Sequence, residues 1–522
     1  MRPLAIALLG GVLVAPCPAL ADVALMAGQQ AKPLQGRFNT VPVLHSNQPE
    51  EVHGPGILVT TTPGQSIAAE TGAPLANATY TFNGEFGIHV HHKYYPHDKS
   101  RMGSGGGRRG ELTLATLLIN PSSQPVHIRF EKGAVRNSFE APYQANNLMG
   151  VKPLGHRPWN TGPGDATAVQ MLRGKLDRKL DDEITIPAHS RVVLFSTQLP
   201  AKGIANGLLK GRSDGPFQMA VVAAEDPQTD ADLMAVLDQR RLAPGRVYLS
   251  RIRQIENGTV FSRVAGVAIG DEYTASLSHD LQQGALHVPL TSTNRHHFGT
   301  GEVQINPLAT RMVDSSLNNV GTYGVRFDVS MNLTGSGPHQ LVFSHPTVNG
   351  RGRFTAFRGS IRIETADGYQ EVHVGMKSGQ SLPIADLYLK PGQVNPVKVS
   401  LVYPADATPG HLLSVVPDQQ LAQLKEREAL VEAAEVAVKV APPAAPVAVV
   451  TAPPAFEPVT IRRVAPALVP PPQWVQPPPA LPNLDGVSAA VISPTRMSES
   501  LMLRYQQAVE AQQKMMNTLL GR

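Results

Sequence analysis

From residue 55 to residue 416 the apolar positions come in short, β-branched runs separated by turn residues. Examples are Gly56-Ile57-Leu58-Val59-Thr60-Thr61, Leu112 to Ile119, and Val126-His127-Ile128-Arg129-Phe130. Such runs between Gly, Pro, Asn and Ser predict strands. The same pattern recurs at Glu183 to Ile186, Arg191 to Ser196, Phe217 to Ala224, Ser262 to Ala268, Tyr323 to Leu333 and Gln340 to Phe343. It continues at Ser360 to Glu364, Glu371 to Gly375 and Pro396 to Tyr403. The runs at Leu112 and Val126 are joined through Asn120-Pro121-Ser122-Ser123, which predicts a hairpin. Strands so outnumber helical patterns that the chain reads as all-β, built from sandwiches.

Two echoes suggest a pair of β-sandwich-like modules. Ile186-Pro187-Ala188-His189-Ser190-Arg191-Val192-Val193-Leu194 resembles Leu389 to Val394 with Val397 to Leu401, and Leu117 to Ser122 resembles Val329 to Thr334. The expected modules span 30–240 and 245–416.

After residue 417 the pattern changes. Asp418 to Val440 is rich in Ala, Leu, Glu and Lys and predicts a helical segment over 418–440. Prolines crowd residues 442 to 482, so 441–495 is expected to be a disordered, extended linker of polyproline II type. Over 496–522, Leu501, Tyr505, Met515 and Leu519 recur at helical spacing with Ala508, Gln512 and Met516, which predicts a short amphipathic helix. An apolar helix face beyond a tether implies a partner: a second copy, a different envelope protein, a membrane surface or the parent domain itself. Lys514 is its one basic neighbour, so a membrane surface ranks last.

At the other end, Arg2, an apolar run from Leu4 to Val14 and Ala19-Leu20-Ala21 before Asp22 follow the order of a secretory signal peptide over 1–21. The run is shorter than the ~20 residues that cross a bilayer, and no other stretch reaches that length, so no transmembrane span is expected in the mature chain. The single cysteine, Cys17, leaves with the signal, which excludes disulfides and thiolate catalysis. The expected location is the periplasm or the cell surface. Charged residues make up 17% and aromatics 5%, against 46 Gly and 46 Pro, which suits short strands and many turns. A net charge of +5, less one when Arg2 is removed, makes no case for nucleic acid. Lys99, Arg101, Arg108 and Arg109 around Gly103 to Gly107 read as a solvated loop.

The segment most suggestive of chemistry runs from Phe82 to Asp98. As a strand it turns Phe82, Phe86, Ile88 and Val90 inward and leaves His89 and His91 together on the outer face. Side chains at i and i+2 stand about 7 Å apart and can share a divalent metal, with His97 and Asp98 as further ligands. The competing and favoured expectation is a solvated or hydrogen-bonded polar face with no cofactor. Tyr94 and Tyr95 are the local candidates for an aromatic platform that stacks on sugar rings. His296 and His297 are adjacent and point to opposite faces. Asp181-Asp182-Glu183 lacks the glycine turn of a calcium loop. No nucleophile elbow, His-Glu-x-x-His pair or phosphate loop occurs, so no catalytic residue is assigned.

Several of these segments carry a resemblance. Leu34 to Asn47 with Gly56-Ile57-Leu58, His91-His92, Ile119-Asn120-Pro121, Leu172-Arg173-Gly174 and Gly211-Arg212-Ser213 follow one another as in the exported, mainly cyanobacterial family with domain of unknown function 3370. Arg263 to Ala268, Gly299-Thr300-Gly301, Tyr323-Gly324-Val325 and Tyr403 to Pro409 continue the match, which covers about residues 30 to 416. The resemblance implies no activity and no functional residue, and the tail lies outside it. The expectation is therefore a non-catalytic exported envelope protein with a structural or binding role. Its alternatives are a module for envelope or extracellular polysaccharide and a histidine-dependent metal-binding protein.

Overall fold

The computed structural model describes residues 24–26, 29–97, 110–143, 149–155, 161–258, 263–345, 354–405, 407–426 and 429–430. The signal segment, Asp98, the glycine-rich loop, the proline-rich segment and the terminal helix with Leu501, Tyr505, Met515 and Leu519 lie outside the described residues.

The apolar runs form strands that close two sandwiches. In the first, a main sheet in the order Glu183–Ile186, Val126–Asn137, Ile204–Ser213, Glu85–Tyr94, Pro42–Ser46 packs on a four-stranded sheet. That second sheet has the order Arg191–Pro200, Glu111–Ile119, Gln218–Ala224, Gly56–Thr60. In the second sandwich the main sheet runs Gly368–Lys377, Thr355–Thr365, Asn395–Val402, Arg326–Thr334, Glu272–Asp280. Its partner sheet runs Ser381–Leu389, Gly337–Ser344, His411–Pro417, Leu286–Leu290. Taken in chain order, these strands of the two sandwiches correspond pairing for pairing. The correspondence includes the parallel pair Pro42–Ser46 with Glu85–Tyr94 and its counterpart Glu272–Asp280 with Arg326–Thr334. The fold is an internal repeat.

The repeat does not coincide with the two sequence echoes. The counterpart of Glu111–Ile119 is Gly337–Ser344, not the strand holding Val329 to Thr334. The turn after Ile186 corresponds to the one between Gly368–Lys377 and Ser381–Leu389, not to the one after Leu389. A proline turn feeding an alternating strand fits more than one corner of a sandwich, so it marks a corner without saying which. The hairpin expected at Asn120 is likewise such a corner: Glu111–Ile119 and Val126–Asn137 belong to opposite sheets. Asn120 shapes it by donating to the carbonyls of Gln124, Ile186 and Pro187 while accepting from Ser122.

Each sandwich has its own core. One gathers Leu44, Phe82, Phe86, Leu117, Phe130, Phe217 and Val221, and the other Tyr273, Phe327, Phe343, Phe357, Ile361, Val399 and Tyr403. Chain segments cross the boundary expected near residues 240–245: Ala265, Val267 and Met312 belong to the first core and Leu34 to the second. Ala265–Ile269, which precedes the second repeat, pairs with Pro42–Ser46 of the first. Arg37–Phe38, which precedes the first, pairs with Glu272–Asp280 of the second. Gly150–Pro153 also extends the second main sheet at Gly368–Lys377. The repeats are thus stitched by reciprocal strand exchange.

Between the two main sheets lies the helix Pro163–Leu172, buried on nearly every side. Pro163 at its start fixes φ where no amide partner is needed. Gly162 before it takes φ 90°, and a Cβ there would stand 2.6 Å from the Tyr143 ring. Its Ala168, Met171 and Leu172 pack against Leu208 of the first sheet and Val402 of the second. At the other end of the body, residues 418–426 are helical, and Leu421 and Leu424 pack with Leu25, Val342, Leu412 and Val416. The first turns of the segment that reads as tail in sequence therefore belong to the folded body.

Candidate functional site

The strand Glu85–Tyr94 lies inside the first main sheet, flanked by Ile204–Ser213 and Pro42–Ser46. Phe86, Ile88 and Val90 enter the core as alternation requires. His89 and His91 lie on the other face, but that face is not solvated: both are buried. Gly324, just before the strand Arg326–Thr334 of the second sandwich, sits against the His89 ring, where a Cβ would come within 3.3 Å of its Cγ.

In this buried setting the histidines hydrogen-bond to protein partners. His45 and His89 face each other across the parallel pair with their Nδ1 atoms 3.2 Å apart, so one donates and the other accepts. His91 Nδ1 donates to Asn206 Oδ1 at 3.0 Å, and Asn206 donates in turn to Thr167 Oγ1 at 2.5 Å. The Thr167 hydroxyl returns to the carbonyls of Pro163 and Gly164 in the helix. His92 Nδ1 donates to the Pro49 carbonyl at 2.7 Å while its Nε2 accepts from Ser46 Oγ at 2.8 Å. Burial disfavours the imidazolium throughout: it pulls His45 down to about 3 and His92 to about 3, and holds His89 well below 6.5. The His45, His89 and His92 rings are therefore neutral at ordinary pH. His45 Nε2 is buried with no hydrogen-bond partner among the described residues.

His97, expected as a third ligand, stacks instead on His53 at 4.6 Å between ring centres. Among the described residues, no three His, Cys, Asp or Glu side chains gather to hold a metal ion. The expected aromatic platform also changes. Tyr94 is part of the first core. Tyr95 is partly buried, with burial first among the causes that raise its phenol to about 12, and its carbonyl accepts from His53 Nδ1 at 2.6 Å. Alternation along one strand correctly separated the two faces, but could not show that a second sandwich covers the outer one.

Charged pairs frame this seam. Glu50 accepts from Lys93 at 2.7 Å and from Arg263 at 2.5 Å. Burial alone would raise its carboxyl, yet Arg263 and then Lys93 outweigh that and hold it well below 4.5. Arg246 and Asp314 are fully buried and joined at 2.9 and 3.0 Å, with Gln48 donating to the same carboxylate at 3.1 Å. His45, Asn206, Thr167, Arg246 and Asp314 carry no local sequence signal, because their partners are distant along the chain.

Two solved structures share a limited similarity with the chain. The Paenibacillus xanthan lyase shares 8% identity over 68% of this chain and 27% of its own, with a TM-score of 0.13. The chain thus spans about a quarter of that lyase. A single-substitution variant of the oxalate decarboxylase of Bacillus subtilis shares 9% identity over 74% of this chain and 78% of its own, with a TM-score of 0.08. No curated protein matches the sequence significantly. One family does match, over residues 29–417, and that span holds both sandwiches and the histidine seam. The chain belongs to the family described as protein of unknown function (DUF3370).

Proposed function

We propose that this is a non-catalytic, exported protein of the cell envelope whose β body presents a binding or structural surface and whose tail helix docks to a partner. The observation that carries the reading is the histidine seam. His89 and His91, which look most reactive in sequence, are buried, hydrogen-bonded and set between two sandwiches, which leaves the outer surface as the working part. The signal-like order of residues 2–22 supports export to the periplasm or cell surface. Affinity capture from envelope extracts tests the reading, comparing the full chain with one ending at Leu430, which keeps Leu421 and Leu424 in the body. A protein partner captured by the full chain and lost on truncation is expected. Equal capture by both chains would remove the tail from the function.

A second reading, recognition of envelope polysaccharide, is favoured by an exposed tyrosine in the second sandwich. Tyr388 is 71% exposed and stands two residues beyond Asp386 on the same strand face. Asp386, Gln340, Gln370, Asp418 and Lys425 line a groove of about 560 Å³. An open tyrosine beside amides and carboxylates is the chemistry that stacks on sugar rings and bonds their hydroxyls. Binding of an envelope glycan that falls at least tenfold in Tyr388→Ala supports this reading, and unchanged binding removes it.

A further inference from the structure

The outer face of the second main sheet carries a buried positive charge with no carboxylate among the described residues to neutralise it. Arg358, on Thr355–Thr365, is only 8% exposed. Its guanidinium lies over the Tyr143 ring at 4.5 Å. Among the described residues its side chain makes one long hydrogen bond, to Thr355 Oγ1 at 3.5 Å, and its Nε is buried without a partner. A guanidinium cannot shed its proton, so removal from water without a counter-charge is unfavourable. The two more deeply buried arginines, Arg136 and Arg246, have Asp177 and Asp314 to offset that cost.

The surroundings of Arg358 are shaped to receive something. Its cross-strand neighbour is Gly375, and beyond that Gly150, so neither position places a side chain beside the guanidinium along that row. The position a Cβ of Gly150 would take has no atom within 4 Å. On the next row stand Ser360 and His373, directly paired. Asp165, in the first turn of the buried helix, accepts from Ser360 Oγ at 2.9 Å and from His373 Nδ1 at 3.0 Å. That fixes the His373 ring with its Nε2 buried and unbonded among the described residues, 4% of the residue being exposed. An arginine fork and an oriented imidazole on one sheet face form a donor set suited to an oxoanion.

We propose that Arg358 and His373 form a binding site for an oxoanion, borne either by a uronate sugar as its carboxylate or by a phosphate group. Arg358 supplies the charge and the paired N–H donors. His373 is oriented by Asp165, and with Nδ1 donating to that carboxylate its Nε2 donates to the oxoanion only in the doubly protonated form. The site is independent of the tail and of the groove beside Tyr388, so it can stand or fall separately from the proposed function.

Calorimetric titration of the full chain at fixed ionic strength, with inorganic phosphate and with trigalacturonate, tests the site. Saturable binding of one probe at one equivalent per chain is expected, weakened at least tenfold in Arg358→Gln and severalfold in His373→Gln. Arg358→Lys keeps the charge but not the fork and should fall between. Response to trigalacturonate alone assigns the site to a glycan carboxylate, and response to phosphate assigns it to a phosphate group. Should Arg358→Gln not fold, the His373→Gln and Arg358→Lys titrations decide. No binding of either probe at millimolar concentration, or binding that these substitutions leave unchanged, overturns the proposal.

Discussion

The two repeats share a strand order but differ in the chemistry of equivalent faces. In the first, the face turned toward the helix Pro163–Leu172 carries His45 and His89, which burial keeps neutral, and His91 hydrogen-bonded to Asn206. In the second, the same face carries Asp328, Arg358, Ser360, Arg362 and His373. The helix serves both: Thr167 bonds toward Asn206 and Asp165 bonds toward Ser360 and His373. One topology therefore supports a closed, neutral seam on one side and an incompletely neutralised site on the other. A sandwich determines which side chains share a face, and the residues there decide whether the face is closed or open for binding.

Substitutions should separate the neutralised parts of the molecule from the one that is not. The largest effect is expected from Asp314→Ala, which strands Arg246 in a fully buried position and should cost about 3–5 kcal/mol in denaturant unfolding. A loss below about 1 kcal/mol would mean that Arg246 finds another partner or reaches water.

Acid should act next, and mainly on the neutral face. His45 and His92 sit at about 3 in the folded protein against 6.5 when unfolded. The unfolded chain therefore takes up these protons first. Their stabilisation is complete above pH 6.5 and is lost as pH falls toward 3, about 2 kcal/mol for each group by pH 5. Melting temperature measured from pH 7.5 to pH 5 should fall, and the fall should shrink in His45→Gln. A flat profile would show that these rings reach solvent.

Asn206→Leu breaks the His91–Asn206–Thr167 relay and leaves polar groups buried, at a cost of about 1–3 kcal/mol. Wild-type stability in this variant would show the relay to be dispensable. The smallest effect is expected at Arg358. With no carboxylate partner among the described residues to lose, Arg358→Met in ligand-free protein should unfold within about 1 kcal/mol of wild type, the lost ring contact offsetting the relieved burial of charge. A loss matching that of Asp314→Ala would erase the contrast between the two arginines.

Much of the architecture was legible along the chain. Alternation in runs such as Glu371 to Gly375 and Arg191 to Ser196 exposed strands, because period two is a local consequence of the pleat. The pairing of His89 with His91 on one face was legible for the same reason. The exchange of Ala265–Ile269 and Arg37–Phe38 between sandwiches was not, since edge pairing depends on which sheet lies nearest in space. The helix Pro163–Leu172 had only Gly162-Pro163 to announce it. Its short apolar spacing is weak because nearly all of its sides are buried and no polar stripe remains.

Sequence by itself determined the all-β class, the inward set of side chains on the strand Glu85–Tyr94 and the change of character after residue 417, because these follow from the chemistry of neighbouring residues. Tertiary structure alone decided that the histidine face is closed, that Tyr94 is core, that Arg246 meets Asp314 and that Arg358 meets no carboxylate among the described residues. Those outcomes depend on residues tens to hundreds of positions apart, brought together when two repeats bury a shared helix, and the burial that sets their charge arises only there.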